Sequence, residues 1–82
     1  MNVLVTGGAG FIGSYMVGRL LKAGNRVVVY DNLILGKREF LVPYADNPLL
    51  NFIEADLLDR SCLQEVMQNC ELVIHLAANS DI

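Results

Sequence analysis

The residues with the clearest chemical potential are the glycines of the stretch Thr6-Gly7-Gly8-Ala9-Gly10-Phe11-Ile12-Gly13-Ser14. This stretch follows the apolar run Val3-Leu4-Val5 and opens a helical pattern, a context that predicts a strand, a tight turn and a helix around a phosphate site. Gly7 can adopt the positive φ of such a turn, Gly10 leaves the backbone open to a pyrophosphate, and Gly13 lets the helix sit close to the strand. Backbone N–H groups and partial positive charge at the helix start would face the diphosphate. The stretch predicts dinucleotide binding.

An acidic residue, Asp31, stands at the distance from the glycines that a dinucleotide site requires. It ends a second apolar run roughly 20 residues after them, where a carboxylate accepts hydrogen bonds from the adenosine ribose hydroxyls. Glycine-rich turns also join strands to helices for packing reasons alone, so the carboxylate is what favours the nucleotide. Because it would repel a 2′-phosphate, NAD is favoured over NADP. Lys37 and Arg38 could swing in, but they are expected to form a solvated face.

The composition excludes several other classes of protein. The chain has 82 residues, 54% hydrophobic and 18% charged, with a net charge of −3 and six scattered basic residues, which argues against a nucleic-acid surface. No apolar run approaches the roughly 18 residues that span a bilayer, and the first residues lack a signal-peptide pattern. A cytoplasmic protein without a membrane partner is therefore expected.

Cys62 and Cys70 match neither a redox nor a metal spacing, so reduced cysteines and no metal are expected.

Strand and helix patterns alternate along the chain, which predicts an α/β fold. Strands are expected at residues 2–6, 26–31, 51–55 and 72–76. Helices are expected at residues 12–23 and 59–70, with a shorter one between 36 and 44 that Pro43 ends or kinks. Two apolar stripes would face the sheet, the first formed by Ile12, Met16, Val17, Leu20 and Leu21 and the second by Leu63, Val66, Met67 and Cys70.

Alternating strands and helices imply parallel pairing through right-handed crossovers. The expected architecture is a partial Rossmann-type parallel sheet of four strands in the order 3-2-1-4 with about three helices, and the nucleotide lies across the carboxyl ends of the strands. Asp56 would accept a hydrogen bond from the adenine amino group while Leu57 packs on the ring or offers its N–H. A solvated turn is the alternative for Asp56. His75 is expected to be a packed, hydrogen-bonded residue rather than a catalyst.

Four segments together resemble one known family. They are TGGAGFIGS, Asp31-Asn32-Leu33 followed by Gly36-Lys37-Arg38, Asp56-Leu57, and His75-Leu76-Ala77-Ala78. Their types and order resemble the N-terminal part of the extended short-chain dehydrogenase/reductases, in the branch of NAD-dependent nucleotide-sugar epimerases and dehydratases of the UDP-glucose 4-epimerase type. The resemblance covers essentially the whole chain. One departure is that Ile34 and Leu35 replace small polar residues usual after the Asp-Asn-Leu, which argues against a side-chain hydrogen bond from that loop to the cofactor.

This resemblance implies NAD as the cofactor and assigns residues to each part of it. The pyrophosphate would be held by Gly7, Gly10 and Gly13 and by the backbone N–H groups of Phe11 and Ile12. The adenosine ribose would be held by Asp31 and Asn32, and the adenine by Asp56 and Leu57. The path to the nicotinamide ribose would be lined by Leu76, Ala77 and Ala78.

The same resemblance implies hydride transfer to and from a bound sugar, with a tyrosine as acid/base and a lysine four residues later. Tyr15, Tyr30 and Tyr44 are not followed by lysine at that spacing. No catalytic residue is therefore assigned. Residues 1–82 are expected to form the N-terminal part of an NAD-binding Rossmann domain that lacks the catalytic Tyr/Lys segment and the substrate domain, and to be inactive alone.

Alternative functions stay open at this point. The first is the NAD-binding part of an epimerase or dehydratase, whose full-length parent alone would bind a nucleotide sugar. The second is a stand-alone, non-catalytic NAD-binding or redox-sensing module, and the third is a structural domain that binds nothing. A downstream reading frame with a Tyr-x-x-x-Lys motif would favour the first, and a genuine stop codon the second. The last strand is expected to be an apolar edge, and the chain is expected to self-associate through this edge or through the uncovered face of the sheet, or to be one piece of a longer product.

Overall fold

A computed structural model describes residues 1–33, 38–55 and 58–76. The elements, in chain order, are β1 (Asn2–Thr6), α1 (Phe11–Lys22), β2 (Arg26–Asp31), a 3₁₀ helix (Arg38–Tyr44), β3 (Leu50–Glu54), α2 (Arg60–Gln68) and β4 (Leu72–His75). All strand pairs are parallel, and the four strands lie in the order β3-β2-β1-β4. The Rossmann-type α/β fold and its strand order are confirmed.

The segment predicted as a short helix between residues 36 and 44 is a 3₁₀ helix that begins at Arg38. Residues 36 and 37 lie outside the described residues. Pro43 lies inside this helix and does not end it, because the fixed φ of proline falls in the 3₁₀ range. The following turn is closed by Asn47, whose side chain accepts a hydrogen bond from the Leu49 N–H at 2.9 Å.

The core is built around β1, which is covered on both faces as the nearly continuous apolar run predicted. Val3, Leu4 and Val5 are all buried, which is usual for an inner strand of a parallel sheet. On one face of the sheet, Val17 and Leu21 of α1 belong to the same buried cluster as two valines each of β1 and β2, namely Val3, Val5, Val27 and Val29. Helix α1 thereby fixes the position of the turn that precedes it.

The buried line of α1 differs from the predicted stripe. It runs through Gly13, Ser14, Val17 and Leu21, whereas Ile12 is 69% exposed and Met16 and Leu20 are half-buried. The physical reason is that residues 12, 16 and 20 lie one position away from residues 13, 17 and 21, about 100° around the helix. Predicting Ile12 as a core residue was therefore wrong.

Helix α2 has a side-chain cap at its start but is poorly covered. The Asp59 side chain accepts a hydrogen bond from the Cys62 N–H at 3.1 Å, and no residue of α2 is buried. Met67, predicted on its apolar stripe, is 44% exposed, and Cys70 lies beyond the end of the helix. The neighbouring strand β4 forms an edge of the sheet, so there is little surface to pack against. None of the helices in the described part of the chain is long and apolar enough to cross a membrane.

We expect the amide hydrogens of α2 to exchange with solvent at least about tenfold faster than those of α1, because few buried contacts oppose local opening of α2. Native-state hydrogen exchange measured by NMR would compare residues 17–21 of α1 with residues 64–68 of α2. Equal protection of the two helices would contradict this expectation.

Candidate functional site

The turn between β1 and α1 is tight and is attached to the neighbouring strand. Gly7 has a φ of +76°, as predicted from the conformational freedom of glycine. Its N–H donates to the Tyr30 carbonyl at 2.9 Å, and the Gly10 N–H donates back to the Gly7 carbonyl at 3.1 Å. The turn is therefore fixed against the carboxyl end of β2 before any ligand binds.

Two glycines are required by packing of the protein on itself. A Cβ at Gly13 would collide with the Gly7 carbonyl oxygen and would lie 2.8 Å from the Gly8 Cα. The close approach predicted for Gly13 is thus to the backbone of the turn. A Cβ at Gly8 would lie 2.7 Å from Val29 Cγ1. Sequence analysis assigned no role to Gly8, and the β-branched residues of the neighbouring strand were the available signal.

Gly10 is different, because no side chain of the described residues outside its two chain neighbours lies within 4 Å of a Cβ built there. A Cβ built there would have the Gly7 carbonyl oxygen as its neighbour, at 3.4 Å, an ordinary van der Waals contact. Its φ is −77°, which any residue can adopt. The fold therefore tolerates a side chain at Gly10, and the space above this residue is available to a ligand.

Helix α1 begins with backbone donors that point out of the fold. The N-cap residue Gly10 makes no side-chain cap hydrogen bond, and its carbonyl accepts from the Ser14 N–H at 2.8 Å. The N–H groups of Phe11, Ile12 and Gly13 have no acceptor within residues 1–33, 38–55 and 58–76. Together with the positive end of the helix dipole, three such donors form a site for an anion.

The carboxylate of Asp31 connects this turn to the loop after β2. It is 8% exposed, and its two oxygens accept from the Ala9 N–H at 3.0 Å and the Leu33 N–H at 2.8 Å. Leu33 has a φ of +64°. Since each carboxylate oxygen has two lone pairs, both oxygens keep an acceptor site. The sequence indicated a ribose acceptor at Asp31 but gave no sign that it also holds the turn.

Hydrogen bonds join the ends of β1 and β4 at the carboxyl end of the sheet. Thr6 and His75 are paired in register, and Thr6 Oγ1 lies 2.6 Å from His75 Nδ1. The prediction of a hydrogen-bonded histidine is confirmed, but His75 is exposed rather than packed, because β4 is an edge strand. The Leu76 N–H donates to the Thr6 carbonyl at 2.8 Å.

The structure brings most of the predicted site residues to one end of the sheet. Asn32 is exposed directly after Asp31, and Leu76 is half-buried after β4. Four further predicted residues lie outside the described residues, namely Asp56, Leu57, Ala77 and Ala78. Their predicted contacts with adenine and with the nicotinamide side stay predictions.

The 3₁₀ helix is seated on the outer side of α1, which sequence analysis did not anticipate. The rings of Phe11 and Phe40 pack edge to face with centroids 6.0 Å apart. A Cβ at Gly18 would lie 2.6 Å from Tyr44 Cζ, so glycine lets the tyrosine lie on the helix. These contacts connect residues more than twenty positions apart, and helical periodicity gives no signal for them.

The two cysteines form no disulfide. Both are unpaired and half-buried. Burial, and to a smaller extent the charge of Glu71, raise the pKa of the Cys70 thiol, which keeps it protonated and a poor nucleophile. In the described part of the chain, no group of three or more metal-ligating side chains is present.

The chain is similar in sequence and in fold to known proteins. A model of the NAD dependent epimerase/dehydratase family matches residues 3–82. The chain belongs to the NAD-dependent epimerase/dehydratase family. This result confirms the family predicted from the four segments, and it confirms NAD as the cofactor on which the family depends.

Several members of the family are similar over nearly the whole chain. A UDP-glucose 4-epimerase from Erwinia amylovora is 47% identical over 94% of this chain and 24% of its own length. The structure of dTDP-glucose 4,6-dehydratase from Bacillus anthracis in complex with NAD has a TM-score of 0.88 at 30% identity, over 98% of this chain and 27% of the other. The structure of UDP-glucose 4-epimerase from Thermotoga maritima with UDP-glucose has a TM-score of 0.82 at 41% identity, over 98% and 25%. The chain spans about a quarter of these relatives.

Two similar substitutions in the glycine turn should lower the stability by different amounts. We expect Gly13→Ala to lower the free energy of unfolding by about 1–3 kcal/mol or more, because the new methyl group would collide with backbone atoms of the turn. Gly10→Ala should cost less than about 1 kcal/mol, which corresponds to the poorer N-cap. Thermal or urea unfolding of the two variants would measure the difference. Equal stability of both would show that the close approach at Gly13 is wrong.

Proposed function

We propose that residues 1–82 bind NAD as the N-terminal part of the cofactor domain of a nucleotide-sugar epimerase or dehydratase. The observation that carries this proposal is the open row of N–H donors at Phe11, Ile12 and Gly13, at the same end of the sheet as the fixed Asp31 carboxylate. An NAD molecule offers a diphosphate to the first feature and ribose hydroxyls to the second.

The residues present fit a dinucleotide on structural grounds. The cradle above Gly10 is a space that a side chain would fill, and the protein itself does not need that space. The turn is already held in place by hydrogen bonds to β2, so little ordering is required when the diphosphate arrives. Pre-formed sites of this kind avoid part of the entropy cost of binding.

The remaining contacts that we propose with NAD extend across the carboxyl end of the sheet. Asn32 would join Asp31 at the adenosine ribose, and Asp56 with Leu57 would hold the adenine. Leu76, Ala77 and Ala78 would line the path to the nicotinamide ribose. When bound, NAD supplies the hydride acceptor and donor, and the role of these residues is to bind it, to orient it and to exclude water from one side of it.

We further propose that this segment binds the cofactor without catalysing the reaction. Support comes from the three tyrosines, none of which is followed four residues later by a lysine, and from relatives about four times as long. The nucleotide sugar would be bound by the remainder of such a protein, which would also determine whether the outcome is isomerisation, dehydration or reduction. A cytoplasmic location belongs to this proposal, supported by the unpaired Cys62 and Cys70.

The test is calorimetric titration of the purified chain with NAD and, in parallel, with NADP. We expect NAD to bind more tightly than NADP, and Gly10→Val to abolish binding of NAD, because a branched side chain would occupy the diphosphate path. The unfolding temperature of Gly10→Val serves as the control that the variant is folded. Absence of NAD binding by the folded chain, or unchanged NAD binding by Gly10→Val, would refute the proposed site.

We also propose that the chain self-associates through β4. This strand pairs with β1 on one side, and its residues Leu72 and Val73 are 43% and 41% exposed, which favours association at an apolar edge. Sedimentation velocity should show dimers or larger species whose fraction falls in Val73→Lys and is unchanged in Val42→Lys, a matched change at another exposed valine. A monomer at high concentration would contradict this.

A further inference from the structure

Two acidic residues occupy neighbouring positions at the carboxyl end of the sheet. Asp31 of β2 and Glu54 of β3 are partners in the parallel register. In-register residues on adjacent parallel strands project from the same face, and neighbouring strands are about 4.8 Å apart. The ribose hydroxyls that Asp31 is proposed to bind would therefore lie beside the strand that carries Glu54.

Arg38 is held on β3 by two contacts. Its Nη2 donates to Glu54 Oε1 at 2.6 Å, and its guanidinium carbon lies 4.9 Å from the centroid of the Phe52 ring. Phe52 precedes Glu54 by two positions, so both lie on the same face of β3. Arg38 was expected to belong to a solvated face, and in the structure its head group is engaged by β3.

We propose that Glu54 is a determinant of cofactor specificity because it keeps Arg38 away from the ribose 2′ position. This inference rests on the proposed NAD site. A 2′-phosphate beside Asp31 would lie next to two acidic residues, and Arg38 is a cation that the structure holds on this end of β3. While Glu54 holds the guanidinium, Arg38 does not compensate the charge of the phosphate.

The arrangement can be altered without harming the fold. The side chains of Arg38 and Glu54 are 63% and 50% exposed, and exposed ion pairs add little to stability. An arginine released from its carboxylate keeps a long, flexible stem and a planar fork of donors that matches a phosphate. Removal of the Glu54 charge should therefore make Arg38 available to a 2′-phosphate.

The experiment measures dissociation constants of NAD and NADP for the purified chain and three variants by calorimetry. We expect Glu54→Gln to tighten NADP binding about tenfold, the effect of one hydrogen bond to a charged group, with a change of less than about twofold for NAD. The double variant Arg38→Ala/Glu54→Gln should lose most of this gain. Glu39→Gln is the matched control, because it removes the same charge next to Arg38 without touching the ion pair, and NADP binding should stay as in the wild type.

The set of outcomes distinguishes failure of this inference from failure of the proposed function. NAD binding together with unchanged NADP affinity in Glu54→Gln would overturn the inference and leave the NAD site standing. A gain that persists in the double variant would assign the effect to charge repulsion alone and overturn the role of Arg38. A folded wild-type chain that binds neither nucleotide would overturn both. The gain should also shrink as salt is raised, because the new contact is ionic and partly exposed.

Discussion

The carboxylate of Asp31 joins two loops that are 22 residues apart in the sequence. A buried carboxylate is costly unless its oxygens are hydrogen-bonded, and here the donors are backbone N–H groups of the glycine turn and of the loop after β2. The Gly7 N–H adds a bond from the turn to the Tyr30 carbonyl. The turn and the end of β2 therefore form one unit, and the proposed diphosphate and ribose contacts are fixed relative to each other before binding.

The glycines of the turn serve two separable purposes. Gly13 and Gly8 are required because α1 and Val29 approach the backbone of the turn too closely for a side chain. Gly10 is not required by the fold, and the space that it leaves is relevant to a ligand. The same spacing of glycines in a sequence thus combines a packing requirement at Gly8 and Gly13 with the binding role proposed for Gly10.

Much of this architecture could be predicted from the sequence, because strong periodic runs are separated by glycines. β1 and β2 have the predicted bounds, and the strand order followed from the handedness of parallel crossovers. The errors concern exposure. Ile12 and Met67 belong to helical apolar patterns, but which side of a helix is covered depends on the neighbouring elements. The Arg38–Glu54 pair and the second role of Asp31 depend on contacts between distant segments, for which a single sequence carries no periodic signal.

The recognition of an anion that is proposed for this chain, whose net charge is −3, would depend on the source of the positive potential. At the start of α1, the available donors are backbone N–H groups and the helix dipole, whereas the basic residues of this helix, Arg19 and Lys22, lie in its last turn, where they complement the negative end of the dipole. Backbone donors of this kind can bind a diphosphate without help from the basic side chains of α1. In the proposed site, the acidic residues Asp31 and Glu54 would make this end of the sheet unfavourable for a further phosphate, so that affinity and selectivity would come from different groups.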